Sequence, residues 1–238
     1  MKWQLWRAGP FQRQLEGMTP LLASWEKKTH PAQIRLREYL EAVTSQLLPL
    51  PDDVELPLFL HLDVDVEDST RLLRHYDLEN YLTPLFGSRW LRPERFSFVT
   101  ARKYVGGGSR IGWGPAIPVS STDEEEWSHF SFDAGQGTSR PEWKEGIRKS
   151  LASSCPSPLP PGPVKVRLAW RCSERRNWCS LWKPTGDAMG PVLGCEDSRR
   201  PYHVNDDRIV ELEFHRNIDD QLGHDVVVGM WWQMEEDF

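Results

Sequence analysis

The chain contains no apolar run long enough to cross a bilayer, which takes about 18 residues or more. Its first residues, Met1-Lys2-Trp3-Gln4-Leu5-Trp6-Arg7, hold no continuous apolar stretch ahead of a small-residue cleavage site. The expectation is a protein that neither spans a membrane nor is secreted. Cysteine is scarce: Cys155, Cys172, Cys179 and Cys195 are the four, with no Cys-x-x-Cys pair among them. Structural zinc uses closely spaced ligand pairs and small disulfide scaffolds use dense ones, so free thiols in a reducing, cytoplasmic setting are expected. No Gly-x-Ser-x-Gly elbow and no Walker-type loop occurs. That disfavours a serine hydrolase or a nucleotide-hydrolysing motor.

Charge is plentiful. The 238 residues carry 29 Lys and Arg against 35 Asp and Glu, a net charge of −6, with 39% hydrophobic residues. This is the composition of one large or two small globular domains. The net value conceals segregation. Arg89, Arg92, Arg95, Arg102, Lys103 and Arg110 face only Glu94 within residues 89 to 110, and Lys165, Arg167, Arg171, Arg175, Arg176 and Lys183 face only Glu174 within 165 to 183. Acidic runs at Asp123-Glu124-Glu125-Glu126 and Glu235-Glu236-Asp237 offset them. Such basic stripes suit phosphate contacts, and equally suit ordinary solvated strand faces.

A repeated pattern organises the chain. Pro31 to Leu48 has apolar residues at helical spacing, a proline-bearing stretch follows, and Leu58 to Val66 alternates Leu60, Leu62, Val64 and Val66 against His61, Asp63 and Asp65 as a half-buried strand does. The order returns with a helix over Trp143 to Leu151, a proline-rich stretch, and an alternating strand from Val164 to Trp170. Tyr76 to Leu85 has its counterpart 100 positions later in Arg176 to Thr185. Strands then follow at Pro93 to Val99 and at Asp206 to Leu212. Each runs through a glycine turn, Gly106-Gly107-Gly108 or Gly223, to a last strand. The pattern predicts two α+β units, each a small mixed or antiparallel sheet with two helices, over residues 1–120 and 140–238, with 121–139 as an acidic, glycine-containing linker.

A strand, then basic residues, an acidic helix start and an acidic pair opening a strand that ends in a glycine hairpin resembles the RusA family of Holliday junction resolvases. The resemblance implies magnesium-dependent endonuclease activity on branched DNA, and here a fused pseudo-dimer able to act as a monomer. Asp77 and Glu79 stand where the family has two aspartates, with Asn80 matching its asparagine. Glu94 matches the second residue of the family's Asp-Asp pair, while Pro93 replaces the first and Thr83 replaces the family lysine. In the second half Asn177 and Cys179 replace the two aspartates, but Lys183, Asp206 and Asp207 are retained. One surviving or composite site follows, with Asp77, Glu79, Glu94, Lys183 and Asp207 catalytic. Asp77, Glu79, Glu94, Asp206 and Asp207 would hold Mg²⁺ or Mn²⁺, and Arg71, Arg74, Arg102, Lys103, Arg110, Arg171, Arg175 and Arg176 would bind DNA.

The same residues carry plainer readings. Asp77 fits a helix N-cap, Glu79 a first-turn acid, and Asp206-Asp207 a turn before a strand. Asp133, Glu142 and Lys144 form a weaker, restriction-type acid, acid, lysine pattern. Gly106-Gly107-Gly108 reads as a hairpin tip or an anion nest. Twelve tryptophans read mainly as core, Trp178 and Trp182 at helical spacing among them. A nuclease-derived binding module without catalysis, or a protein-interaction module, stands as the alternative function.

Overall fold

The computed structural model describes residues 3–48, 50, 57–74, 77–87, 91–119, 127–136, 141–197 and 199–235. The acidic run from Asp123 to Glu126, Glu236-Asp237, Arg89 and Tyr76 lie outside them. The described chain is a mixed α+β structure. Its strands are β1 (Leu5–Ala8), β2 (Arg13–Glu16), β3 (Leu58–Val66), β4 (Phe96–Val105), β5 (Arg110–Val119), β6 (Ser128–Gln136), β7 (Val164–Cys172), β8 (Ile209–Ile218) and β9 (Asp225–Met234). Its helices are α1 (Pro31–Leu47), α2 (Ser69–Leu72), α3 (Leu78–Gly87), α4 (Pro141–Ser154), α5 (Trp182–Asp187) and α6 (Gly190–Leu193). Single 3-10 turns occupy Pro93–Arg95, Trp178–Leu181 and Asp206–Arg208.

All nine strands join one sheet in the order β1-β5-β3-β4-β8-β7-β9-β6, with β2 also on β5. The pairings of the first half recur in the second. β3 runs parallel to β4 as β7 does to β8, and β5 is antiparallel to β3 as β9 is to β7. The edge strand β2 lies on β5 as β6 lies on β9. At the centre β4 and β8 pair antiparallel, Phe98 opposite His215 and Arg102 opposite Glu211. That pairing brings the C-terminal end of each central strand beside the N-terminal end of the other.

Two expectations are corrected here. The stretch assigned to a linker contains β6, whose Phe130 and Phe132 pack toward the core. And β3 is buried on both faces: Asp63 is fully enclosed and His61 nearly so. Phe11 packs against His61, and Arg102 and Arg110 neutralise Asp63. The alternation was that of a two-sided core strand.

The helices cover one face, where Leu60, Leu62 and Val64 meet Val43, Leu47 and Leu82. The aromatic side chains join the halves. Phe86 stands edge-on to Phe96 at 5.3 Å and to Trp182 at 5.0 Å, and Trp182 meets Trp178 at 5.0 Å and Phe214 at 4.5 Å between ring centroids. Trp170 Nε1 donates to Thr185 Oγ1 at 3.0 Å, pinning α5 over β7. Buried aromatic pairs of this geometry contribute about 1 kcal/mol each beyond their area. Trp178 and Trp182 are therefore core residues, as the plainer reading had them.

Candidate active site

Asp77 and Glu79 come from the start of α3, which follows the C-terminal end of β3. Asn80 fixes the first of them, its Nδ2 donating to Asp77 Oδ2 at 2.8 Å while its backbone N–H donates to the Asp77 carbonyl at 3.0 Å. The β4–β8 pairing sets this helix start beside the turn Asp206–Arg208 of the other half. One open cleft is consequently lined by Asp77 from the first half and by Lys183, Asp187, Asp206 and Asp207 from the second. Its outer wall is Glu196 with Tyr202 to Asn205, in the connection between α5 and that turn. The phenol of Tyr202 donates to Glu145 Oε2 at 2.8 Å, which clasps the wall to α4.

Lys183 Nζ lies 3.6 Å from Glu79 Oε2 and 3.3 Å from Asp187 Oδ1, and Lys144 Nζ holds the other oxygen of Asp187 at 2.9 Å. Thr83 donates to Glu79 Oε1 at 3.0 Å. Below the cleft a narrow pocket places Asp77, Glu79 and Asp206 against Val166, Leu168, Trp182 and Phe214. That apolar floor has electrostatic consequences, because burial disfavours charge. Burial, reinforced by Asp77, pushes Asp206 up to about 7. Burial also raises Glu79, against the pull of Lys183 and Thr83. For Lys183 burial works the other way, but Glu79, Asp187 and Asp206 outweigh it and keep the ammonium charged.

Lys103 was expected on a DNA-facing surface and is instead buried beneath this cluster. Its ammonium donates to the backbone carbonyl of Asp207. Burial pulls its pKa down to about 8, although Asp207, Asp77 and Asp206 favour the charge. Neither composition nor spacing marked this residue as part of the site. The signal was its place in β4, since neighbours in a strand point to opposite faces.

Glu94 is not brought to the cluster. It lies at the opposite corner of the sheet, where Arg216 donates to its carbonyl at 3.0 Å and the Cys179 thiol is close enough to feel its charge. Trp178 Nε1 donates to the Pro93 carbonyl at 2.9 Å in the same corner. The composite arrangement is thus Asp77 and Glu79 with Asp206, Asp207 and Lys183.

The remaining basic candidates divide. Arg102 Nε and Arg110 Nε donate to the two oxygens of Asp63, at 3.1 and 2.9 Å, on the sheet face away from the cleft. With His61 they outweigh the burial of Asp63 and hold it far below the usual carboxylate range. Both were expected to bind DNA; each pairs with Asp63 while its side chain stays partly open to solvent. Arg171 sits over the Trp3 ring at 5.2 Å, Arg175 is exposed and Arg176 half-buried in the turn after β7. Arg71 pairs with Glu67 at 3.4 Å, and Arg74 is exposed, both on the segment between β3 and Asp77.

The weaker patterns also resolve. Asp133 accepts from the backbone of Gly135, and Lys144 is engaged with Asp187, so Asp133 and Lys144 each serve a local contact. Gly106, Gly107 and Gly108 all have positive φ, and Asp65 accepts from the amides of Gly106 and Gly108 at 2.8 and 2.9 Å. The nest exists and holds the chain's own carboxylate. All four cysteines are free thiols.

Among the described residues, no three acidic, histidine or cysteine side chains are gathered tightly enough to hold an ion as they stand. No helix of the described residues is long and apolar enough to cross a membrane. Neither the family models nor the curated proteins compared with this chain contain a match to it.

Proposed function

We propose that the chain is a Mg²⁺-dependent endonuclease for branched or structured DNA, built as a fused pair of RusA-like units, 1–120 and 140–238, in which both units contribute to one active site. The observation that carries this reading is the meeting of Asp77 with Asp206, Asp207 and Lys183 in one open cleft, with Glu79 in the pocket beneath it, 3.6 Å from the Lys183 ammonium. Their donor chemistry fits a hard divalent cation, which takes carboxylate oxygens and keeps several waters. Asp206 is half-buried, its pKa raised by burial and by the charge of Asp77, and a cation between Asp77 and Asp206 would relieve a repulsion that protonation otherwise relieves. Mn²⁺ suits the same ligands.

When bound, the cation supplies activation of water and neutralisation of charge on the phosphodiester. The chain's own residues do the rest. Asp77 and Asp206 would hold the cation, with Glu79 and Asp207 beside them. Lys183 offers an ammonium to the phosphate oxygens. Asn80 orients Asp77, and Lys103 fixes the turn that carries Asp207. Trp182, in the floor of the pocket, has a buried indole N–H with no hydrogen-bond partner among the described residues. A pair of units within one chain needs no second copy, and four free thiols suit a cytoplasmic setting.

The test is cleavage of a labelled four-way junction beside a linear duplex, with Mg²⁺, with chelator, and with Asp77→Ala. Junction cuts that need both the metal and Asp77 are expected. Tight binding without cuts under any condition leaves a nuclease-derived binding module instead.

A further inference from the structure

Resting on the function just proposed, we infer that the chain breaks one strand of its substrate per encounter and not two. The sheet builds a second corner, related to the first by the antiparallel β4–β8 pair. Arg216 donates to the Glu94 carbonyl there as Lys103 does to the Asp207 carbonyl here. The turn Trp178–Leu181 packs on Pro93 through the indole hydrogen bond of Trp178. The scaffold of the second corner is intact.

Its ligand chemistry is gone. Asn177 and Cys179 occupy the places of Asp77 and Glu79, and Pro93 that of Asp206. An amide is a poor substitute for a carboxylate on Mg²⁺, and a thiol is a soft donor. Burial drives the Cys179 pKa far above its ordinary value, so the group stays neutral. Thr83 takes the place of Lys183 and spends its hydroxyl on Glu79, in the intact corner. Of the positions matching Asp77, Glu79, Asp206 and Asp207, only that of Asp207 keeps an acid, Glu94.

The connection that walls the cleft is equally one-sided. It spans residues 188–205 between α5 and the turn Asp206–Arg208, whereas only residues 88–92 join α3 to Pro93–Arg95. Each hydrolysis adds one water across one phosphodiester P–O bond, the water oxygen joining phosphorus and a proton passing to the leaving sugar oxygen. Concerted breakage of two strands needs two corners able to hold the cation, and one corner gives one break.

A supercoiled circle carrying an inverted repeat extruded as a cruciform separates the cases, using the full chain with Mg²⁺. One nick releases the supercoiling and the cruciform is reabsorbed, whereas two nicks in one encounter yield linear DNA. Nicked circles with no early linear product are expected, and Asp77→Asn should abolish them. Linear DNA as a first product would overturn the single-strand inference and leave the proposed hydrolysis standing. No breakage of any strand would remove the proposed function and this inference with it.

Discussion

The ammonium of Lys103 donates to the backbone carbonyl of Asp207, so a strand of one half holds in place the acidic turn of the other. Removing one side of a buried charge cluster leaves its partners uncompensated, and here it also takes the donor from the Asp207 carbonyl. Lys103→Met is therefore expected to lower the melting temperature. Its junction cleavage should fall by about 10- to 100-fold, the usual cost of losing a group that orients metal ligands. Lys103→Arg should recover part of the rate. Cleavage rates and thermal melts of the two variants, measured together, separate a positioning role from a merely structural one.

The acidic cluster predicts a conflict between stability and function. Asp206 has a folded-state pKa raised to about 7, so the unfolded chain gives up this proton more readily. Its contribution to stability falls as pH rises from about 4 toward 7 and stays low above that. Asp206→Asn should then be the more stable protein at pH 8, by about 1–2 kcal/mol, while losing cleavage. Mg²⁺ should raise the melting temperature of the unmodified protein and not that of the variant, since a ligand stabilises only the state that binds it. Melts at pH 5.5 and pH 8, with and without Mg²⁺, provide the check.

The repeat was legible because it rests on local signals. The 100-residue offset between Tyr76 to Leu85 and Arg176 to Thr185 survives in the placement of α3 and of the segment Trp178–Asp187, and the alternating patterns of β3 and β7 begin where the strands do. Asp77, Glu79, Lys183, Asp206 and Asp207 can each be picked out from local sequence. What local pattern does not encode is which acids meet. That depends on the β4–β8 pairing, a contact between residues more than a hundred positions apart, which unites Asp77 with Asp206 and sends Glu94 to the other corner. The basic stripe divides for a related reason. Arg102 and Lys103 are adjacent in sequence and lie on opposite faces of the sheet, one bound to Asp63 and the other to the Asp207 carbonyl. Counting charges along a strand merges two surfaces that share nothing.

Asp63 should be among the more costly polar positions to change. It is fully buried and accepts from Arg102 and Arg110, with His61 Nε2 2.8 Å from its Oδ1, and together these outweigh burial and hold its pKa far below that of an unfolded aspartate. A depressed carboxylate contributes stability that is present above its unfolded pKa, about 4, and is lost as pH falls through the folded value. Asp63→Asn is expected to cost about 3–5 kcal/mol near neutral pH, the range for breaking a buried ion pair from one side. The difference from the unmodified protein should shrink progressively below pH 4. Urea unfolding at pH 7 and at pH 3 measures both.

The arginines can be sorted by what their loss changes. Arg74 is exposed, three residues before Asp77 in the sequence, whereas Arg102 is engaged with Asp63 on the far face. A lysine or arginine on a DNA phosphate adds about one unit to the slope of log affinity against log salt. Arg74→Gln should therefore weaken junction binding and reduce that slope by about 1, with the melting temperature little changed. Arg102→Gln should do the reverse, lowering the melting temperature because Asp63 loses a partner while leaving the salt slope as it was. An unchanged slope in Arg74→Gln would place the DNA path elsewhere on the surface. A reduced slope in Arg102→Gln would return the far face of the sheet to the binding surface.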